Sequence, residues 1–177
     1  MRKLLFFILV LLSFQNCITT PDLIKQEQFT PAAFSLNAFN GTYQNKVIDT
    51  DPGISLWNAL RYCKTFKDDT LKLTDKTLVN INYDNKNKLQ VILKERGVPI
   101  YKTVFKVKRR GNYISVKRNL FFVPVPFLFF WHNEAKVILS NDTNGNLHLN
   151  FARKQFVWIL MAGSVEQEFN ESYKRVD

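Results

Sequence analysis

From Leu78 to Val107 apolar and polar residues alternate with a period of two, and that pattern decides what this chain can fold into. Successive side chains on a strand point to opposite faces, so the pattern sets one face against a core and the other in water. Val79, Ile81 and Tyr83 share one face of a strand, with Asn80 and Asn82 on the other. Asp84-Asn85-Lys86-Asn87 is turn chemistry. Leu89, Val91 and Leu93 alternate with Lys88, Gln90 and Lys94, and Gly97-Val98-Pro99 breaks that run. Tyr101, Thr103, Phe105 and Val107 then alternate with Lys102, Lys106 and Lys108. Arg110-Gly111-Asn112 turns the chain into a returning strand over Tyr113–Arg118. The alternation resumes at Ala135, Val137 and Leu139 and, after the turn Asn141–Asn146, at Leu147, Leu149 and Phe151. A first strand is expected over Phe39–Asn45, a short one over Thr70–Leu73 and a closing one over Glu168–Val176. The reading is an all-β fold with one short helix: an antiparallel meander of about eight strands forming a calyx-like barrel or closed sandwich.

The helix is expected to start at Thr50-Asp51-Pro52-Gly53, a capping residue with proline at the first helical position, and to cover Ile54–Phe66. Leu56, Leu60 and Cys63 fall on one face, widened by Trp57. That face suits packing over one end of the sheet more than docking a partner.

Leu120–Trp131 breaks the alternation. It runs Leu-Phe-Phe-Val-Pro-Val-Pro-Phe-Leu-Phe-Phe-Trp, without a polar side chain. A membrane-spanning helix needs about 20 apolar residues, so the length and the two prolines exclude one. Proline lacks the donor N–H of a ladder, so the bend at Val123-Pro124-Val125-Pro126 belongs at a sheet edge or between strands. Three readings stand: a buried strand pair, an aromatic wall or lid of a ligand cavity, and a segment dipping into a membrane. The candidate ligand-binding residues are Phe121, Phe122, Phe127, Phe129, Phe130 and Trp131. Phe156–Ala162 is a second apolar run, ended by Gly163-Ser164.

The first sixteen residues read as a signal peptide: Arg2 and Lys3, then the apolar stretch Leu4–Leu12. Cys17 follows Phe14-Gln15-Asn16, and here the segment resembles a bacterial lipoprotein signal of the looser Bacteroidota type. The resemblance implies that Cys17 is diacylated on sulfur and becomes the mature N-terminus. A plain secreted protein and an uncleaved anchor are the other readings; the first leaves Cys17 able to pair with Cys63, and with lipidation Cys63 is a small buried hydrophobe. The expected organisation is a signal over 1–16, a tether over 17–38 and one β domain over 39–177.

Removing residues 1–16 removes Arg2, Lys3 and no acid, so the formal charge falls from +10 to +8. That suits anionic headgroups or acidic glycans; nucleic acid is not expected of an exported chain. The densest basic patch is Lys102, Lys106, Lys108, Arg109, Arg110, Lys117 and Arg118 on one hairpin. It reads either as an anion-facing surface or as a solvated face that discourages edge pairing.

Catalytic patterns are sparse. His132 and His148 stand apart, in no metal-ligand spacing, and a site joining them to Asp142 or Glu134 has no support in spacing. No G-x-S-x-G nucleophile motif occurs, and with six glycines there is no phosphate-cradling loop. Asp49/Asp51 and Asp68/Asp69 sit where helix capping explains them. No catalytic residue, metal or cofactor is expected.

Taken in order, the features resemble lipocalin-like lipoproteins of Bacteroidota-type bacteria: a lipobox, a tether, Asn40-Gly41-x-Tyr43 on the first strand, a Leu56-Trp57 helix and antiparallel strands. A late turn at Asn144-Gly145-Asn146-Leu147 and the closing Tyr173-Lys174-Arg175-Val176 also match. Lipocalins proper carry Gly-x-Trp where this chain has Gly41-Thr42-Tyr43. The resemblance implies a calyx-like barrel and names no ligand. The expectation is a non-catalytic protein anchored in the outer membrane by its acyl group and facing the periplasm. It binds a small apolar ligand in the barrel or, alternatively, serves as an accessory subunit or assembly factor with a solid core and an envelope protein partner.

Overall fold

The computed structural model describes residues 20–25, 30–48, 53–64, 71, 73–74, 76–117, 119–125, 129–158 and 164–176. Within these, the side chains of 20–22, 119–125, 129–131, 156–158 and 164 lie outside the description. Nine strands form one antiparallel sheet: β1 (Gly41–Gln44), β2 (Thr77–Tyr83), β3 (Lys88–Glu95), β4 (Val98–Arg110), β5 (Tyr113–Val116), β6 (Asn119–Val125), β7 (Phe129–Asn141), β8 (Leu147–Trp158) and β9 (Ser164–Tyr173). Eight follow in the order β1-β2-β3-β4-β5-β7-β8-β9, and β6 pairs with β7 off that path. The antiparallel meander with a few short helices is the fold class that the alternation implied.

The sheet curls until its ends meet. Tyr43 on β1 bridges Arg175, just beyond β9. The Gln44 N–H donates to the Lys174 carbonyl and the Val176 N–H to the Thr42 carbonyl, both at 2.9 Å. Side chains lock this seam. The Tyr43 hydroxyl donates to the Phe39 carbonyl at 2.8 Å and accepts from Asn141 Nδ2 at 3.2 Å. Arg175 donates to the carbonyls of Ala38 (2.7 Å), Asn40 (3.1 Å) and Asn37 (3.2 Å). Asn40 Oδ1 accepts from the Tyr83 N–H at 2.7 Å. Much of the Asn40-Gly41-x-Tyr43 and Tyr173–Arg175 pattern is therefore the hardware of closure.

On its other side the wall divides. β4 pairs with β3 up to Lys106↔Lys88, then with β5 from Val107↔Val116. β5 meets β7 at Ile114↔Leu139 and Ser115↔Ile138, and β6 continues along β7 from Asn119↔Ala135 to Val125↔Phe129. The Lys117 N–H still reaches the Lys106 carbonyl at 2.8 Å. Beyond that point β4 and β6 part, and the first half of β4 carries the exposed Val98, Ile100 and Val104. Lys64 Nζ covers part of this edge, donating to Thr103 Oγ1 at 2.8 Å and the Val104 carbonyl at 3.2 Å. Pro124 lies within β6, whose partner is β7 alone among the described strands; that edge position spares it a second ladder.

Among the described residues three short helices accompany the sheet: α1 (Thr20–Lys25), α2 (Leu36–Phe39) and α3 (Leu56–Tyr62). The expected helix over Ile54–Phe66 begins later than its sequence signal. Ser55 is the N-cap, its Oγ accepting from the Asn58 N–H at 3.3 Å. Asn45 takes the next donors, its carbonyl from Leu56 N–H (3.0 Å) and its Oδ1 from Trp57 N–H (2.9 Å). A residue distant in sequence thus sets the helix start. α3 packs Leu56, Trp57, Ala59 and Leu60 into the core of the sheet, with Trp57 edge-on to Tyr101 at 5.4 Å and Tyr62 against Phe151 at 5.6 Å. Leu71 and Leu73, expected in a strand, are in no strand and pack as irregular chain against the core. The closing strand begins at Ser164 rather than Glu168.

Part of the expected tether also packs on the domain. Leu23 of α1 lies buried on the outer face of β7 and β8 against Ile138 and Ala152, and its carbonyl accepts from Asn150 Nδ2 at 3.2 Å. The Ala32 N–H donates to the Asn141 carbonyl at 2.8 Å, and Phe34 packs near Phe39 and Tyr83.

Candidate functional site

The barrel interior is the first place to look for a ligand. Every second residue of the alternating strands points into it. Tyr43, Val79, Leu89, Val91, Leu93, Val137, Leu139, Leu147, Leu149 and Tyr173 retain no accessible surface, and neither do Leu56, Ala59 and Leu60 of α3. A side chain beside a water-sized void keeps some accessible area. These keep none, so the interior around them is filled, at the density expected of a core. Cys63 belongs to this core as a free thiol; burial pushes its pKa up to about 12, so it is not poised as a nucleophile. Burial likewise raises the Tyr173 phenol, with Glu171 adding to the effect, and its hydroxyl donates to the Ile54 carbonyl at 2.6 Å.

Five of the six candidate ligand-wall residues have a described backbone. Phe121 and Phe122 lie on β6, and Phe129, Phe130 and Trp131 on β7, at the end of the sheet far from the closing seam. Phe121 stands opposite Asn133, Phe122 opposite His132, Val123 opposite Trp131, Pro124 opposite Phe130 and Val125 opposite Phe129. Their side chains, and Phe127 altogether, lie outside the described residues, as does Cys17.

The basic hairpin forms a definite feature. Val107 and Val116 alternate inward, so Lys106, Lys108 and Arg110 on β4 and Lys117 after β5 stand outward, and β7 adds Lys136. Together they line an open groove of about 340 Å³ with the mostly buried Ser115 in its wall. Gly111, at φ +60°, makes the tight turn that brings the two strands back side by side. Arg109 turns away, its guanidinium stacked 4.3 Å from the Phe34 ring. Glu134 is two residues from Lys136 on β7, fully buried and 3.7 Å from His132 Nε2. Five cations around one depression attract an anion. Among the described residues, the groove has no histidine or carboxylate in its wall for proton transfer.

One polar constellation joins His148 to Asp142, a pairing without support in spacing, and adds Ser172, which the sequence did not point to. His148 Nδ1 lies 2.8 Å from Ser172 Oγ, and His148 Nε2 lies 3.3 Å from Asp142 Oδ2. Asp142 is also the cap of the β7–β8 turn, accepting from the N–H groups of Asn144 (2.9 Å) and Asn146 (2.8 Å) and from Asn146 Nδ2 (3.0 Å). Burial acts to raise its carboxyl, but the bonds from Asn146 and His148 outweigh that and hold it below the ordinary range. Burial lowers His148, and Asp142 offsets only part of that effect. The pairing of β8 with β9, which sets His148 opposite Ser172, was the missing information. Alternation along a single strand gives no register. No group of three or more potential metal ligands occurs among the described residues.

Comparison with protein-family models, with curated proteins and with solved structures returned no match.

Proposed function

We propose that this chain is a non-catalytic cell-envelope protein, tethered through an acylated Cys17, whose barrel is an interaction module with a solid core. The observation that carries the reading is the filled interior among the described residues: inward side chains such as Tyr43, Val79, Leu93, Leu149 and Tyr173 keep no accessible surface. α3 adds Leu56, Trp57, Ala59 and Leu60 to that same core. Lipid attachment is supported by Leu4–Leu12 ahead of Cys17, and a periplasm-facing domain by the lack of an acidic run in Ile18-Thr19-Thr20-Pro21-Asp22. The non-catalytic reading is supported by the chemistry of Asp142, whose oxygens already serve the turn through Asn144 and Asn146.

Growth with a radioactive fatty acid tests the anchor. Wild type takes up label and Cys17→Ala does not; an unlabelled wild type refutes lipidation. Crosslinking in intact cells tests the module. A discrete adduct with another envelope protein is expected, and recovery of the monomer alone refutes an interaction role.

A further inference from the structure

Two rungs of the same sheet treat their cations differently. Lys154 on β8 stands directly opposite Glu166 on β9, and their charged groups meet at 2.6 Å. Lys88 on β3 stands directly opposite Lys106 on β4. The Lys117 N–H donates to the Lys106 carbonyl at 2.8 Å, so a third lysine follows on the far side of β4. Lys136 of β7 completes the row: it shares the groove with Lys117, two residues beyond the pair Ser115↔Ile138. Leu89, Phe105, Val107 and Val116 go to the core, which leaves these lysines the outer face, and Lys108 and Arg110 continue along β4. Like charges directly opposite one another destabilise a sheet. Yet among the described residues no partner engages the side chains of Lys88, Lys106, Lys108 or Lys117. Two carboxylates adjoin the row. Asp84 Oδ1 accepts from the N–H groups of Lys86 (2.8 Å) and Lys88 (3.1 Å), and Glu134 is fully buried, 3.7 Å from His132 Nε2.

We propose that this row binds an acidic polysaccharide, a linear sugar chain carrying carboxylates or sulfates. The proposal deepens the reading of the barrel as an interaction module, and rests on it, by naming the chemistry of a partner. Neighbouring strands lie about 4.8 Å apart, so the four positions span about 14 Å in one line across the strands. A single small anion reaches two or three of these cations, whereas a chain of repeated charges reaches all of them. A depression of about 340 Å³ admits such a chain, while a bilayer presents a plane. The apolar members of the groove, Val107 and Val116, are 5% and 1% exposed, so neither can insert among acyl chains. Among the described residues no aromatic ring lines the groove, which leaves nucleotide bases without a stacking platform. The groove holds four lysines and one arginine. Hydrated point charges suit carboxylates or sulfates spaced along a chain, whereas a bound phosphate draws on the bidentate fork of arginine.

The test is titration calorimetry on the full-length chain in nonionic detergent, with polygalacturonate, which carries carboxylates, and with heparin fragments, which add sulfates. Both are expected to bind, and more weakly as salt is raised. Lys106→Gln with Lys117→Gln is expected to weaken binding about tenfold, the sum of two exposed ion pairs. Lys46→Gln with Lys174→Gln removes the same charge from exposed positions beside the closing seam and is expected to leave affinity unchanged. The row variant is expected to keep or raise the thermal midpoint, because it relieves repulsion across the strands. Lys106→Arg with Lys117→Arg keeps the charge and is expected to keep binding, so a fold weakened by glutamine does not hide the answer. Equal loss in the row and seam variants overturns the proposal, since net charge alone then explains it. Absence of binding to both glycans overturns it too. So does tighter binding of single-stranded DNA, or of mixed micelles containing phosphatidylglycerol, that the row variant loses; the row then serves a nucleic acid or a lipid surface. A protein adduct from the crosslinking experiment, found together with no glycan binding, refutes the glycan and leaves the interaction module standing.

Discussion

The closed end of the barrel and the far end of β6–β8 obey different rules, although one sheet contains both. At the closed end, Val79, Ile81 and Tyr83 go inward, fully or nearly buried, while Asn80 and Asn82 stay at the surface. Two environments, core and water, are enough to explain it. At the far end the alternation stops, and every residue of 123–131 is apolar whichever face its register assigns it. The closed end buries its apolar side chains in the chain itself. The far end carries apolar residues at consecutive register positions of β6 and β7, a pattern that alternation between core and water does not explain.

Substitutions at the two ends separate these rules. The largest effect is expected in the core. Phe151, 1% exposed and stacked 5.9 Å from Phe169, loses its contacts outright in Phe151→Ala. A cost of about 3–5 kcal/mol is expected in a urea titration, since such cavities close only in part. Next comes the seam. Arg175→Ala strips donors from three carbonyls around α2 and is expected to cost about 1–3 kcal/mol, with faster hydrogen exchange at Gln44 and Val176. Unchanged exchange there contradicts the closing role of the bridge. The smallest effect is pH-dependent. The fold holds His148 neutral below its ordinary value, so below about pH 6.5 the unfolded chain binds a proton that the folded chain resists. Stability is therefore full above that pH and falls as the pH drops through it. His148→Gln is expected to flatten the slope between pH 7 and 5 in thermal melts. A slope unchanged by the substitution removes His148 as its source.

Strands with two environments were legible in the sequence. β2, β3, β4, β7 and β8 follow from alternation and from turn residues such as Asn85 and Asn87, both at positive φ where asparagine is tolerated. What depends on distant partners was not. The start of α3 at Leu56 goes with acceptors supplied by Asn45, while Thr50-Asp51-Pro52 lies outside the described residues. The break at Lys117 that hands β7 from β5 to β6 leaves no local mark. The His148–Ser172 contact needs the β8–β9 register, which no single strand encodes. The basic groove was half visible: the lysines of the hairpin were on view, but Lys136 joined them only once β5 paired with β7.

The claim at the centre of this account is that the barrel is filled. Diffraction from crystals pressurised with xenon, which enters empty apolar cavities, tests it most directly. The account predicts no ordered xenon among Tyr43, Leu93, Leu149 and Phe151. A xenon site bounded by those side chains contradicts it and restores the barrel as a ligand chamber.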